Sequence, residues 1–297
     1  MNRTGMLRVH STMLSADFDV QHGGRMVSLV DLTSGREWLV PSSTRSPEAA
    51  YGSSFTDRHI HGWDEMLPTI DACTVGGTDL PDHGEVWAVP WRRHPARSAG
   101  GLRLDVECAA LPLRLTREVR PQGDDLVLDY ELVNLGARPL PILWTAHPQF
   151  AVSAAAQVHL PTPPSTVEVV SPPHRSRFTT WSDAVDRAAH LPTGTHLKVR
   201  LVGRDGPRTV TLADGRSALS LQWRGDCVRH VAVLWDNAQY SSQRVIALEP
   251  STAGHDSLAV AMEQPDVTTL AGGGTLTWSL TLSLPESTSE PERAAGR

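Results

Sequence analysis

From Thr275 to Leu284 the chain alternates without a break: Leu276, Trp278, Leu280, Leu282 and Leu284 are separated by threonines and serines. A period of two puts every apolar side chain on one face. That pattern specifies a strand with one side against a core and excludes an amphipathic helix. The same period recurs upstream. Leu102, Leu104 and Val106 alternate with charged residues, Leu113 and Leu115 lead through Arg117 to Val119, and Leu126, Leu128, Tyr130 and Leu132 share one parity against Asp129 and Glu131. Turn residues at Gln122-Gly-Asp-Asp125 and Asn134-Leu-Gly-Ala-Arg-Pro139 separate these runs, giving a strand meander. Further strands are expected at 209–212, 218–223, 230–235 and 245–249, with a hairpin around Thr33-Ser-Gly-Arg36. Only 181–190 reads as a short helix. So many strands exceed a small barrel, and the expected fold is all-β: a large antiparallel β-sandwich with few short helices. The sandwich is expected to occupy 1–284 as a single domain. The segment 285–297, rich in Ser, Glu, Pro and Arg, has the composition of a disordered tail.

Charge and cysteine content narrow the function. The 297 residues carry a net charge of −6 and no basic run interleaved with aromatics, which disfavours nucleic acid and anionic membrane as partners. No apolar run approaches the length of a membrane span, and the first residues lack the apolar core of a secretion signal. Cys73, Cys108 and Cys227 are scattered and odd in number, without CxxC spacing. They support neither a disulfide framework nor a zinc site and fit a reducing, cytoplasmic location.

Two segments draw attention to chemistry. Ile142-Leu-Trp-Thr-Ala-His-Pro-Gln-Phe150 and Val245-Ile-Ala-Leu-Glu-Pro250 each read as an apolar strand halted by proline, with His147 and Glu249 as the last residues before the break. A carboxylate on an apolar strand is costly to bury without purpose or partner. A histidine and a glutamate at the ends of two buried strands make a plausible acid/base pair. His83 lies in the polar turn Pro81-Asp-His-Gly84, with Glu85 and Trp87 following, and Asp236 follows Trp235. Arg58, His59, His61, Trp63, Asp64 and Glu65 form a second polar cluster. No metal-ligand spacing such as HExxH occurs, so neither metal nor cofactor is expected. Nine tryptophans against four phenylalanines and three tyrosines is an unusual balance. Trp63, Trp87, Trp91, Trp144 and Trp235 fall near polar candidates, and a flat indole with an N–H donor suits the face of a pyranose.

These segments, in this order, resemble the aldose 1-epimerase (galactose mutarotase-like) family. The likeness is carried by Thr116-Arg-Glu-Val119 through Asn134, by Trp144-Thr-Ala-His-Pro-Gln-Phe150, by Asp82-His-Gly-Glu-Val-Trp87, by Leu248-Glu-Pro-Ser-Thr252 and by Gly62-Trp-Asp-Glu-Met-Leu-Pro68. It spans about Gly23 to Leu284. The resemblance implies a β-sandwich holding a sugar on one sheet face, with Glu249 as general base, His147 as general acid and His83 as a second histidine near the ring oxygen. It sets Asp236 at a hydroxyl-binding position and Arg58 near a sugar-binding arginine. Trp63, Glu65, Glu85, Trp87 and Trp144 complete the expected binding set. The expected partner is a monosaccharide substrate, acted on by a monomer or homodimer. Three alternatives use the same residues: a non-catalytic sugar-binding module, a phosphosugar 1-epimerase drawing on Arg58, Arg92 and Arg93, and a hydrolase or lyase pairing Glu65 or Glu85 with Glu249.

Overall fold

The computed structural model describes residues 6–42, 49–57, 60–170, 177–201 and 208–285. The expected tail, apart from Pro285, lies outside them. Two antiparallel sheets account for most of the chain. One is 8-stranded and consists largely of the meander read from the sequence. Its centre is Thr275–Ser283 paired with Asp125–Asn134, which in turn pairs with Leu113–Gln122 and then Leu102–Glu107. Register sets Leu128 opposite Leu280, Leu126 opposite Leu282 and Tyr130 opposite Trp278. The last pair stacks with ring centroids 5.3 Å apart. Alternation in sequence thus becomes one continuous apolar face, and all six of these side chains are buried.

The other sheet is 11-stranded. Across its middle run Trp63–Met66, Thr145–Pro148, Arg244–Ser251, His230–Asn237, Thr195–Leu201 and Thr166–Val170, in that spatial order. Ile246, Leu248, Val231, Val233, Leu197 and Val199 face the first sheet and join the shared core. The residues between them, including Ala247, Glu249, Ala232, Leu234, Lys198 and Arg200, therefore point to the opposite face. Helix is scarce: Trp181–Ala189, capped by the Thr180 side chain on the Asp183 N–H, and the one-turn Leu258–Ala261. No described helix is long and apolar enough to cross a membrane.

The sheets are joined by a buried ion pair. Arg117 on the first sheet reaches Glu65 on the second, Nη1 to Oε1 2.9 Å, with both side chains fully buried. Tyr130 Oη donates to the same Glu65 oxygen at 2.8 Å and Trp144 Nε1 donates to Oε2 at 2.9 Å. Arg117 also donates to the carbonyl of Gly24.

Candidate active site

The outer face of the 11-stranded sheet brings His147 and Glu249 together, and strand register explains why. Thr145 pairs with Ser251, and further on Phe150 pairs with Ile246 and Ala151 with Val245. The same register, carried two residues in from Thr145 and from Ser251, sets His147 across from Glu249. Cross-strand neighbours on one face lie about 4.5–5.5 Å apart at Cβ, so the two side chains meet. The two prolines differ: one ends its strand and the other does not. Arg244–Ser251 runs through Pro250, and Pro148 closes Thr145–Pro148 in register with Trp63. The ladder between the two strands lapses after Thr145 until Phe150, so neither proline interrupts a hydrogen bond between these two strands.

His147 Nε2 stands 3.8 Å from Glu249 Oε1. Gln149 Nε2 donates to His147 Nδ1 at 2.9 Å, an assignment that leaves the ring proton of the neutral imidazole on Nε2, facing the carboxylate. Phe55 lies flat on His83 (centroids 4.1 Å apart, planes 7° apart), and both meet the His147 ring edge-on at 5.3 and 5.6 Å. His83 is held by its own neighbour: Nδ1 donates to Asp82 Oδ1 at 2.8 Å, while Asp82 Oδ2 accepts from the Phe55 N–H at 2.8 Å. Burial alone would raise the Asp82 carboxyl, but His83 and these hydrogen bonds hold it below its usual value. Phe55, His83, His147, Lys198, Tyr240 and Glu249 line a cavity of about 210 Å³. A larger cleft of about 560 Å³ beside the Trp181–Ala189 helix contains neither His147 nor Glu249, so size alone does not locate the chemistry.

The turn that presents His83 is conformationally demanding. His83 (φ 57°) and Gly84 (φ 77°) are consecutive left-handed residues, and a Cβ at Gly84 would collide with the carbonyl of Leu67. Gly84→Ala is expected to cost roughly 1–3 kcal/mol and to displace His83 from the cavity. Denaturant melts, together with the His83 ring resonances in NMR spectra, check both effects.

Glu249 is buried and paired on its far side. Lys198 Nζ lies 2.7 Å from Oε2 and bridges to Asp256 (Oδ2 at 3.2 Å), which Arg200 also contacts at 3.3 Å. The lysine approaches Oε2 off the line of a good hydrogen bond. Among the described residues neither Glu249 oxygen has a hydrogen bond of good geometry, and Oε1, on the side away from Lys198, is the one turned to His147. Burial pushes the Glu249 carboxyl above the ordinary glutamate value, with Lys198 opposing the rise. Burial would lower Lys198, but Asp256 and Glu249 outweigh it and keep the ammonium charged. Asp256 in turn is held far below the usual carboxylate range by Lys198 and Arg200, against its own burial.

Of the residues picked out from sequence, His147, Glu249, His83 and Asp236 converge on this cavity. Asp236 also caps a turn, accepting from the N–H groups of Gln239 (2.8 Å) and Ser241 (3.1 Å). Others go elsewhere. Glu65 and Trp144 belong to the ion-pair cluster between the sheets, and Trp63 packs edge-on to Phe150 in the core. Trp87 stands behind Phe55 as a second layer and donates to the Asp82 carbonyl at 3.2 Å. Glu85 accepts from Tyr51 Oη at 2.7 Å and the Ala110 N–H at 2.8 Å, away from His147. Arg92 is tied to Asp105 and Glu107 on the edge strand of the other sheet, which Arg93 shares. Arg58 lies outside the described residues, as does His59. Lys198, Asp256, Gln149, Phe55 and Tyr240 were not foreseen. Among the described residues no group of three or more His, Cys, Asp or Glu side chains is placed to hold a metal ion.

No family model matches the chain, and no curated protein sequence matches it. Solved structures do. The Slr1438 protein of Synechocystis sp. PCC 6803 superposes with a TM-score of 0.74 over 97% of both chains at 13% identity. A galactose mutarotase-like protein from Lactobacillus casei gives 0.68, covering 94% of this chain and 100% of its own at 15% identity. The chain has the galactose mutarotase-like fold. An Escherichia coli K12 protein provisionally described as an aldose 1-epimerase agrees, at TM-score 0.69 and 15% identity over 94% of this chain and 98% of its own. The expected all-β sandwich is therefore observed. At these identities the likeness establishes the mutarotase-like architecture, and the chemistry has to be argued from this chain's own residues.

Proposed function

We propose that the protein is a cofactor-independent aldose 1-epimerase that interconverts the α and β anomers of a hexose or related sugar. The observation that carries this reading is the 3.8 Å separation of His147 Nε2 and Glu249 Oε1 beside a cavity. The two oxygens on an anomeric carbon are closer together than that. Each can therefore take one of the two groups at an ordinary hydrogen-bond distance, about 2.7–3.0 Å. Glu249 accepts the proton of the anomeric hydroxyl while His147, protonated and with the Gln149 amide turned so that its oxygen accepts from Nδ1–H, gives its Nε2 proton to the ring oxygen. The C1–O5 bond breaks, leaving an open-chain aldehyde, a protonated Glu249 and a neutral His147. Rotation about C1–C2 presents the other carbonyl face. The O5 hydroxyl then attacks and returns its proton to His147, while Glu249 protonates the new anomeric oxygen. Protons and electrons balance with no external reagent. Phe55 and Tyr240 supply apolar ring surface to the cavity, and Asp236 is available to a sugar hydroxyl.

Because burial raises Glu249, the base is ionised only above the ordinary glutamate range. The rising limb of activity against pH is expected there, and a limb at the ordinary value would show that the base is a more exposed carboxylate. The experiment for the function is exchange NMR or polarimetry on a panel of aldoses, wild type against His147→Asn. The substitution is expected to cut the rate by roughly 10²-fold or more. A second reading, a sugar-binding module without catalysis, is favoured by one feature, the Lys198 ion pair already engaging Glu249. It predicts binding with no rate above buffer. The phosphosugar alternative finds Arg92 committed to carboxylates on the other sheet. In the hydrolase alternative, Glu65 and Glu85 are both turned away from Glu249. The three cysteines are unpaired, in keeping with a cytoplasmic enzyme.

A further inference from the structure

Lys198 reaches Glu249 from two strands away. In the row that crosses the sheet at Glu249, Ala232 pairs with Glu249 on one side and with Arg200 on the other. Lys198 sits in the next row, opposite Leu234. Strands two apart are separated by about 9.5 Å, too far for most side chains to touch. Here the lysine extends across the middle strand, from the Leu234 row to that of Ala232, whose side chain is small, and reaches Oε2 at 2.7 Å. Lys198 is itself buried, and lines the same cavity as His147 and Glu249. Its ammonium lies 2.7 Å from Glu249 Oε2 and 3.2 Å from Asp256 Oδ2.

We propose that Lys198 is a positioning residue for the base: it holds Glu249 by Oε2 so that Oε1 faces His147, and together with Asp256 it sets how readily Glu249 takes up a proton. This rests on the reading of Glu249 as the base. The two partners act on Glu249 in opposite senses. The ammonium favours the carboxylate form, and Asp256 both screens that ammonium and repels the carboxylate. The other charged groups facing Glu249 are the imidazoles of His147 and His83, with Arg200 behind Asp256. Along the cavity lie His196, Asp236 and Asp71. Farther along the same face, Arg200 is balanced by Glu168 at 3.2 Å and His230 faces Asp266 at 3.5 Å. None of these is close enough to replace Lys198 as the ion partner of Oε2.

The test is a pair of substitutions with opposite expected signs, read in two ways. The Glu249 carboxyl is titrated directly by ¹³C NMR of glutamate-labelled protein, with Glu249→Gln assigning the resonance. The pH dependence of kcat/KM for anomer exchange is measured alongside. Lys198→Met is expected to move the Glu249 midpoint up by about one pH unit or more, and Asp256→Asn to move it down. Lys198→Arg, which keeps the charge, is expected to restore the midpoint to near the wild-type value. The rising limb of activity should follow each shift. A merely structural role would lower kcat without moving the midpoint in opposite directions. Midpoints that stay within experimental error of wild type in Lys198→Met and Asp256→Asn alike, or that move the same way in both, overturn the proposal. If Lys198→Met does not fold, a downward shift in Asp256→Asn supports the proposal, and its absence overturns it. Because the NMR titration needs no turnover, it reports on Lys198 even if the wild type shows no epimerase activity. Failure of the catalytic reading and failure of this proposal are therefore distinguishable.

Discussion

Glu249→Gln is expected to slow anomer interconversion by roughly 10²–10⁴-fold while leaving the protein folded and able to bind sugar. The amide keeps the size and planar shape of the carboxylate, so the cavity between Phe55, His83 and His147 should persist. What is lost is the only function a carboxamide cannot perform, the uptake of a proton from the anomeric hydroxyl. Losing the negative charge also leaves the Lys198 ammonium bound to Asp256 alone. That pair is already short and shared with Arg200, so the loss of stability should be small beside the loss of rate. Polarimetry for the rate, with circular dichroism and ligand-observed NMR as controls, separates the two effects.

The second large effect is on stability, at the opposite face of the same sheet. Arg117→Met leaves Glu65 fully buried with only the Tyr130 and Trp144 donors. Removing one member of a buried ion pair typically costs about 3–5 kcal/mol, because the remaining charge is neither solvated nor paired. The pH dependence has a definite sign. Burial already raises the Glu65 carboxyl above its ordinary value with Arg117 opposing, and deleting the arginine raises it further. Between the ordinary value and that raised one, folded Glu65 binds a proton that unfolded Glu65 does not. Stability of the variant should therefore be highest at acidic pH and fall as pH rises through this window, with the gap from wild type widening towards neutrality. Removing both charges, Glu65→Leu with Arg117→Met, should recover much of the loss. Urea unfolding midpoints at several pH values measure all three.

The contrast between Glu65 and Glu249 shows where the sequence is legible. Alternating runs such as 276–284 and 126–132 announce their own inward face, and the meander is found where that period sets it. Trp63-Asp-Glu-Met66 announces nothing, because all four residues are buried, and the inward parity falls on Trp63 and Glu65. A polar residue pointing into a sandwich cannot be told from one in a loop until its partner, here 52 positions away on the other sheet, is known. The tryptophans mislead for a related reason. An indole near polar residues suits a sugar face, but its large apolar area is more strongly drawn into the core, and Trp63, Trp87, Trp91 and Trp144 go there.

His147 and Glu249 were legible because each is an ionisable residue in an apolar strand beside a proline. The prolines are useful landmarks, although Pro148 ends its strand one residue beyond His147 and Pro250 does not end its strand at all. Lys198 was half visible. Leu197, Val199 and Leu201 alternate with Lys198 and Arg200, which marks the outward face. What the sequence lacks is strand order: the His230–Asn237 strand lies between Lys198 and Glu249 in space, and only that arrangement lets them meet across it.

The most direct test of the central claim is two-dimensional exchange NMR of α and β anomers at equilibrium, with wild-type protein, Glu249→Gln and buffer alone, across a panel of aldohexoses and aldopentoses. The acid/base account predicts protein-dependent exchange cross-peaks for at least one sugar, abolished in Glu249→Gln while that sugar still binds. A sugar that binds wild type and exchanges no faster than in buffer, or exchange that survives in Glu249→Gln, would contradict it.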